Sequence, residues 1–363
     1  MTCNSLFVLC AGGDLTMAVT VLIVDADPRT CADWEALLSD QGYAVIAARS
    51  GEAALTLCPQ LRPDLVLLND LLPDMHGLEV CRRLKAEPRN RLTPIILYTA
   101  AGDDSDASRA LEAGADNFWG QPPTPWEALS RVHSLLQLKT YIDEQGESVL
   151  AALAQSIEAR DPFDEAHCVR VSNNAVRFGK SLGFSQNELD ALRIAGWLHD
   201  IGKIGIPDAI LSKTGPLDPD ERRIVEQHPI IGEQICTPLK SLRYALPLIR
   251  HHHERLDGSG YPDGLRGEQI PLTVRALQIV DICDALTSDR SYRQNMSLPQ
   301  ALIVLYEEAN RGWLDGALVS QFASLVVGSE GSIILGNRRG LGSPEGAKWS
   351  GSSSSGQFNR RGA

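Results

Sequence analysis

The chain has 363 residues, 43% hydrophobic and 22% charged, which sets the expectation of a globular protein long enough for two domains with a core each. Its net charge of -12 excludes a global basic field, so neither a nucleic-acid polymer nor an anionic membrane is expected as a partner. The eight cysteines (3, 10, 31, 58, 81, 168, 236, 283) form no CxxC pairs, which predicts reduced thiols in a cytoplasm rather than disulfides or zinc.

Residues 1–18 are mildly apolar but lack a basic start and a cleavage site, and are read as an N-terminal extension rather than a signal peptide. No apolar run reaches the length of a membrane span. From Val19 onward, strand and helix alternate. Val19–Val24 is a short β-branched run ending at Asp25, followed by a helix over Pro28–Gln41. A strand over Tyr43–Ala48 precedes a helix over Glu52–Leu57, and a third strand, Leu65–Leu68, precedes a helix over Leu78–Ala86. Strands over Pro94–Tyr98 and Ala115–Phe118 flank a helix over Ser105–Ala113, and a last helix starts at Trp126. Five βα units predict an α/β doubly wound parallel sheet, with ligands at the carboxyl ends of the strands. Asp25, Asn69, Asp70 and Thr99 fall at such ends.

Residues 19–138 resemble the receiver domain of response regulators through Val24-Asp25, Pro63-Asp-Leu-Val-Leu-Leu, Leu72-Pro-Asp-Met-His-Gly77, Tyr98-Thr-Ala100 and Gly114-Ala-Asp116. In that family two adjacent acids hold Mg²⁺, an Asp four residues before the Pro accepts a phosphoryl group, and a Lys-Pro closes the site. Here the second acid is Ala26, the acceptor position is Asn69, and Gln121 precedes Pro122. An amide is a poor nucleophile and brings no charge to Mg²⁺, so a degenerate receiver that has lost phosphorylation is expected. Asp70, one residue along, should turn its side chain to the other face.

Leu135–Arg160 favours helix with Gly146 as its one breaker, and is read as a connector (139–160) into an all-α second domain over 150–327. Residues 328–363 shift to Gly, Ser and Arg, too poor in apolar residues to fold, and a disordered tail is expected.

Six of the eight histidines lie between 167 and 253. An apolar helical run (Leu192, Ile194, Ala195, Trp197, Leu198) stops at His199-Asp200, followed by Gly202, Lys203 and Gly205. A buried His-Asp pair is costly without a compensating cation, which suggests a metal. Asp281, read as opening the stretch Asp281–Leu286, adds a carboxylate, with Asp284 as an alternative one turn on. Nitrogen and carboxylate donors from distant helices, without thiolate, suit a dinuclear core site holding iron, manganese or another first-row metal. Glu254 and Asp257 are candidates to orient the ligating histidines, and His251 is read as solvated or as a neighbour of the ligands.

His199-Asp-Ile-Gly-Lys203, His228-Pro229, His252-His-Glu-Arg-Leu-Asp-Gly-Ser-Gly-Tyr-Pro262 and Asp281 through Thr287-Ser-Asp-Arg290-Ser-Tyr-Arg293 resemble the HD-GYP domain, over about Leu150 to Phe322. The resemblance implies a phosphodiesterase that linearises cyclic di-GMP to pGpG, GMP or both, in second-messenger signalling. It implies that His167, His199, Asp200 and Asp281 hold one metal ion, and that His228, His252 and His253 hold a second, with Asp200 bridging. Lys203, Arg290 and Arg293 would contact substrate phosphate and Tyr261 would shape the pocket. Phe163 stands where some members carry a Glu for a third metal, so two divalent ions are expected. Implied partners are a cyclic dinucleotide and signalling proteins such as a sensor kinase or a diguanylate cyclase, with a homodimer left open. The alternative is a catalytically weak scaffold acting through protein contacts.

Overall fold

A computed structural model of the chain describes residues 19–100, 102–158, 166–213, 215–288 and 295–328. The expectations for residues 1–18 and for the tail from 329 fall outside these.

The first unit alternates β1 (Thr20–Val24), α1 (Pro28–Ser39), β2 (Ala44–Ala48), α2 (Gly51–Leu61), β3 (Leu65–Asn69), α3 (Gly77–Ala86), β4 (Ile95–Tyr98), α4 (Asp104–Glu112) and β5 (Asn117–Trp119). The five strands are parallel in the order β2-β1-β3-β4-β5. Val21–Val24 and Leu65–Leu68 are solvent-free, as expected of central strands covered on both faces. The pairing of Val24 with Leu68 and of Asn69 with Tyr98 brings Asp25, Asn69 and Tyr98 together at the carboxyl edge. Several element bounds differ by a residue or two from the sequence reading, and β5 and α2 differ in ways with a structural cause or cost. β5 lies two residues later than expected at its start, and α2 continues through Pro59, whose missing N–H forgoes one helical bond while Cys58 beside it remains buried.

The connector is helical, as expected, and it is not a separate element. The last helix of the sheet unit and the connector are one continuous helix, α5 (Pro125–Glu158, 34 residues). Gly146 does not interrupt it, because the missing side chain is what lets it close on a neighbour: a Cβ there would stand 2.8 Å from Leu239 Cδ2. Val132 and Leu136 pack against β1, β3 and β4, whereas Leu150 and Ala154 join the core of the second unit. One rod therefore carries residues of both cores.

The second unit is helical: α6 (His167–Ser181), α7 (Gln186–Leu198), a 3₁₀ turn (Ile201–Gly205), α8 (Asp208–Leu211), α9 (Pro219–Val225), α10 (His228–Cys236), α11 (Leu246–His251), α12 (Leu272–Thr287), α13 (Leu298–Asn310) and α14 (Gly316–Gly328). Its core runs from Leu150 to Val326, with Phe178 set edge-on to Phe322 at 5.2 Å. The two units also touch through polar groups. The Lys240 ammonium meets Asp64 at 2.6 Å, and the Arg62 guanidinium donates to the Thr237 carbonyl at 2.7 Å. Among the described residues no helix is long and apolar enough to cross a membrane.

Candidate metal centre

The buried face of α7 (Leu189, Leu192, Ala195) ends at Leu198, so the next residue is delivered into the core as the helix terminates. That residue is His199, and Asp200 follows at the start of the 3₁₀ turn. The turn presses directly on the first turn of α10: a Cβ on Gly202 would lie 1.9 Å from the His228 carbonyl oxygen. Glycine is needed for that approach, and Pro229 at the first turn of α10 sets the helix start that presents His228. His252 caps α11 and His253 follows it, while His167 opens α6 against α12. Asp281 does not open a helix as expected. It lies in the second half of α12, which begins nine residues earlier at Leu272.

These elements assemble two ligand groups, Asp200 with His228, His252 and His253, and His167 with His199 and Asp281. Within each group the donor atoms lie within 4.8 Å of one another. Asp200 faces both. Its Oδ1 lies 3.2 Å from His228 Nε2 and 3.9 Å from His252 Nε2, and its Oδ2 lies 3.5 Å from His199 Nε2. In the other group Asp281 Oδ1 lies 3.3 Å from His167 Nε2 and 3.7 Å from His199 Nε2.

The hydrogen bonds around the imidazoles test whether a cation fits. His228 Nδ1 lies 2.8 Å from the Val225 carbonyl and His252 Nδ1 lies 2.8 Å from the Ile249 carbonyl. A carbonyl only accepts, so both Nδ1 atoms carry the proton. In the neutral rings the two Nε2 atoms are then bare lone pairs, yet they face each other at 3.2 Å. Burial holds His252 well below its ordinary pKa, with His253, His199 and His228 adding repulsion, so a second ring proton does not resolve the contact. Asp200 Oδ1, also buried, has no hydrogen-bond donor. Converging lone pairs and an orphaned carboxylate oxygen match a divalent cation. His253 is pushed down to about 3 by burial and by His228, which keeps it in the neutral, ligating form. Asp200 is held well below the carboxylate range: burial opposes its charge, and Lys203, His199 and His228 outweigh that cost.

Asp284 is placed to orient a ligand. Its Oδ2 lies 2.8 Å from His167 Nδ1, and Arg170 grips the same carboxylate at 2.8 Å through both Nε and Nη2. The expectation that Glu254 and Asp257 orient the histidines is corrected. Glu254 instead accepts the backbone N–H groups of Asp263, Gly264 and Leu265, which fixes the loop, and Asp257 is exposed and accepts from Ser259 N. Backbone carbonyls of Gly196, Val225 and Ile249 face the Nδ1 atoms of His199, His228 and His252 in their place. His251 lies 3.4 Å from Asp263, in a third group with Glu254 whose carboxylates are already committed, Asp263 to both arms of Arg250.

A cavity of about 450 Å³ opens over both groups and is lined by His167, Asp200, Lys203, His253, Tyr261 and Asp281 among others. The Lys203 ammonium stands 2.5 Å from Asp200 Oδ2, and the Tyr261 ring 4.8 Å from the His253 ring. Arg290 and Arg293 lie outside the described residues. Arg222, Arg255, Glu308 and Trp313 also line the cavity and were not singled out from the sequence. Arg255 falls within the His252–Pro262 motif, whereas Glu308 and Trp313 lie some 50 residues away with no local pattern.

The other constellation has a different fate. Asn69 Nδ2 donates to Asp25 Oδ2 at 2.9 Å, the Tyr98 hydroxyl donates to the same oxygen at 2.7 Å, and Asp27 N donates to Oδ1 at 2.8 Å. Asp70 turns away and accepts from Leu78 N. Neutral donors thus occupy the carboxylate, and Trp34 packs against both the Tyr98 ring, at 5.9 Å, and the Trp119 ring, at 5.7 Å.

Comparison with known proteins places both units. A family model of the response regulator receiver domain matches residues 21–132, and one of the HD domain matches residues 151–318. The cyclic di-GMP phosphodiesterase response regulator RpfG of Xanthomonas campestris pv. campestris (strain 8004) is 38% identical over 281 residues, covering 71% of this chain and 74% of that protein. A cyclic di-GMP phosphodiesterase of Thermotoga maritima is 33% identical over 313 residues, covering 78% of this chain and 84% of that protein. The 3'3'-cGAMP-specific phosphodiesterase 3 of Vibrio cholerae is 37% identical over 161 residues, 44% of this chain and 35% of that protein. The chain belongs to the response-regulator phosphodiesterases that join an N-terminal receiver domain to a C-terminal HD domain.

Proposed function

We propose that the chain hydrolyses a phosphodiester bond of a cyclic dinucleotide, cyclic di-GMP foremost, releasing linear pGpG, GMP or both. The observation that carries this reading is Asp200, which presents one carboxylate oxygen to each of two buried nitrogen-oxygen ligand groups on the floor of one cavity. His167, His199 and Asp281 would hold one divalent ion, His228, His252 and His253 the other, and Asp200 both. Two divalent ions held by these residues would supply positive charge for the attacking and the leaving oxygens of the cleaved phosphodiester. Oxygen and imidazole donors without thiolate favour iron or manganese.

The remaining roles fall to residues of the cavity wall. The Lys203 ammonium balances Asp200 and supplies a donor for a non-bridging phosphate oxygen. Tyr261 closes the wall beside His253. Arg290 and Arg293 are assigned as further phosphate contacts, since a guanidinium grips phosphate through paired donors. Domain limits of 19–138 for the receiver and 150–327 for the HD-GYP domain, bridged by the shared helix, accompany the reading. The receiver is assigned as unable to take a phosphoryl group, because Asn69 occupies the acceptor position and binds Asp25. Its signal would come through contact with a sensor kinase, a diguanylate cyclase or a second copy, in the cytoplasm.

Two further readings have a footing. The cGAMP-specific relative supports a mixed cyclic dinucleotide as substrate. A weak scaffold is the other, and the presence of all seven ligand candidates in two compact groups weighs against it. Purified chain loaded with Fe²⁺ or Mn²⁺ and incubated with cyclic di-GMP, with products separated chromatographically, tests the proposal. Metal-dependent appearance of pGpG or GMP supports it, and stoichiometric binding without turnover supports the scaffold.

A further inference from the structure

The cavity over the ligand groups has another wall, built from residues that no step of phosphate chemistry needs. Arg255, Glu308 and Trp313 line it. Backbone hydrogen bonds fix their mutual placement: Leu256 N donates to the Trp313 carbonyl at 3.0 Å, and Trp313 N donates to the Glu308 carbonyl at 3.0 Å. Gly312, at φ +78°, makes the turn that brings Trp313 back toward α13. The Arg255 guanidinium lies 3.8 Å from the centroid of the Trp313 ring, forming a flat cationic platform within the cavity. Glu308 is half-buried, and among the described residues no hydrogen bond or ion pair holds its carboxylate. Burial pushes its pKa up, and Arg255 and Arg311 act on it only through their charge. A half-buried carboxylate without donors, facing a cavity, is a group waiting for a ligand that donates.

We propose that Arg255, Trp313 and Glu308 form a purine-base subsite in which Glu308 reads guanine. The inference rests on the cyclic-dinucleotide reading above. Guanine presents N1–H and a 2-amino group side by side, two donors that match the two oxygens of one carboxylate. Adenine presents a bare N1 acceptor there and has no 2-amino group, so its lone pair would oppose the carboxylate. Stacking on a guanidinium or an indole is indifferent to base identity. Arg255 and Trp313 therefore supply affinity for any base, and Glu308 supplies the choice.

The test uses the metal-loaded full chain, with kcat/KM measured on cyclic di-GMP, cyclic di-AMP and the base-free diester bis(p-nitrophenyl) phosphate. The parent should prefer cyclic di-GMP, and Glu308→Gln should reduce the preference over cyclic di-AMP by about 10–100-fold, mainly through KM. Arg255→Ala should raise KM for both dinucleotides while leaving their ratio in place. If Glu308 only balances the neighbouring arginines, Glu308→Gln affects both substrates alike, and an unchanged ratio overturns the proposal. A comparison on the parent alone needs no variant to fold: cyclic di-IMP, whose bases lack the 2-amino group, should be used about tenfold less well than cyclic di-GMP, and equal use overturns the proposal. A parent that cleaves neither dinucleotide nor the base-free diester overturns the hydrolase reading separately. Binding of the two dinucleotides to parent and Glu308→Gln, measured by calorimetry, then judges Glu308 by the same ratio.

Discussion

Gly202→Ala is a small substitution with a large expected effect. The new Cβ would lie 1.9 Å from the His228 carbonyl oxygen, 2.6 Å from Gly232 N and 2.8 Å from the His228 carbonyl carbon. All three are backbone atoms of α10, so no side chain can swing aside to make room. Ordinary contact begins near 3.4 Å, and the 3₁₀ turn must separate from α10 by about 1.5 Å to reach it. Such overpacking costs about 1–3 kcal/mol where side chains give way, and a backbone clash belongs at the upper end, about 3 kcal/mol. For a domain of this size that lowers Tm by roughly 6–12 °C. The same displacement carries His228 away from Asp200, and ligand geometry tolerates only about 0.2 Å, so one metal should be lost. Calorimetry on the metal-free protein and elemental analysis on the loaded one read the two effects separately. His228→Ala is the reference, since it deletes the ligand without the clash and should lower metal content with a smaller loss of Tm in the metal-free state. Gly202→Ala that keeps two metals and a Tm within 2 °C of the parent would refute the close approach of the turn to α10.

Further outcomes follow from the same geometry. Lys203→Ala should retain both metals but slow hydrolysis by about 10²–10³, read by steady-state kinetics beside metal content, because its ammonium serves charge rather than ligation. Asp284→Ala removes the acceptor of His167 Nδ1 and should weaken metal binding by about 10–100-fold in a chelator competition. The receiver should incorporate no phosphate from acetyl phosphate by mass spectrometry, and phosphate mapped to Asp70 would contradict the assignment of Asn69 to the acceptor position. Lys240→Met leaves Asp64 half-buried without its cation at the contact between the units, and should cost about 1–3 kcal/mol in urea denaturation.

Much of the sheet was legible because central parallel strands are short, apolar and bounded by turn residues, as in Val21–Val24 and Leu65–Leu68. The ligand candidates were visible because His199-Asp200 ends an apolar helix and because three histidines stand in a row at 251–253. What the sequence hides is set by tertiary contact. Gly146 reads as a breaker until Leu239 is seen filling the space of its side chain. Glu254 reads as a partner for the adjacent histidines, but its carboxylate faces the following loop. Asp284 and Arg170 are 114 residues apart and meet only when α6 packs on α12, so their hold on His167 has no local signature. Glu308 and Trp313 reach the cavity from α13 and the turn after it, where neither residue type nor spacing marks them.

The central claim is that one carboxylate joins two metal sites, and Asp200→Ala tests it most directly. The variant removes a ligand from both groups at once, so elemental analysis should find well under one metal per chain, with hydrolysis of cyclic di-GMP abolished. His228→Ala, beside it, should retain about one metal, since its ligation is not shared. Two metals per chain and normal turnover in Asp200→Ala would contradict the dinuclear account.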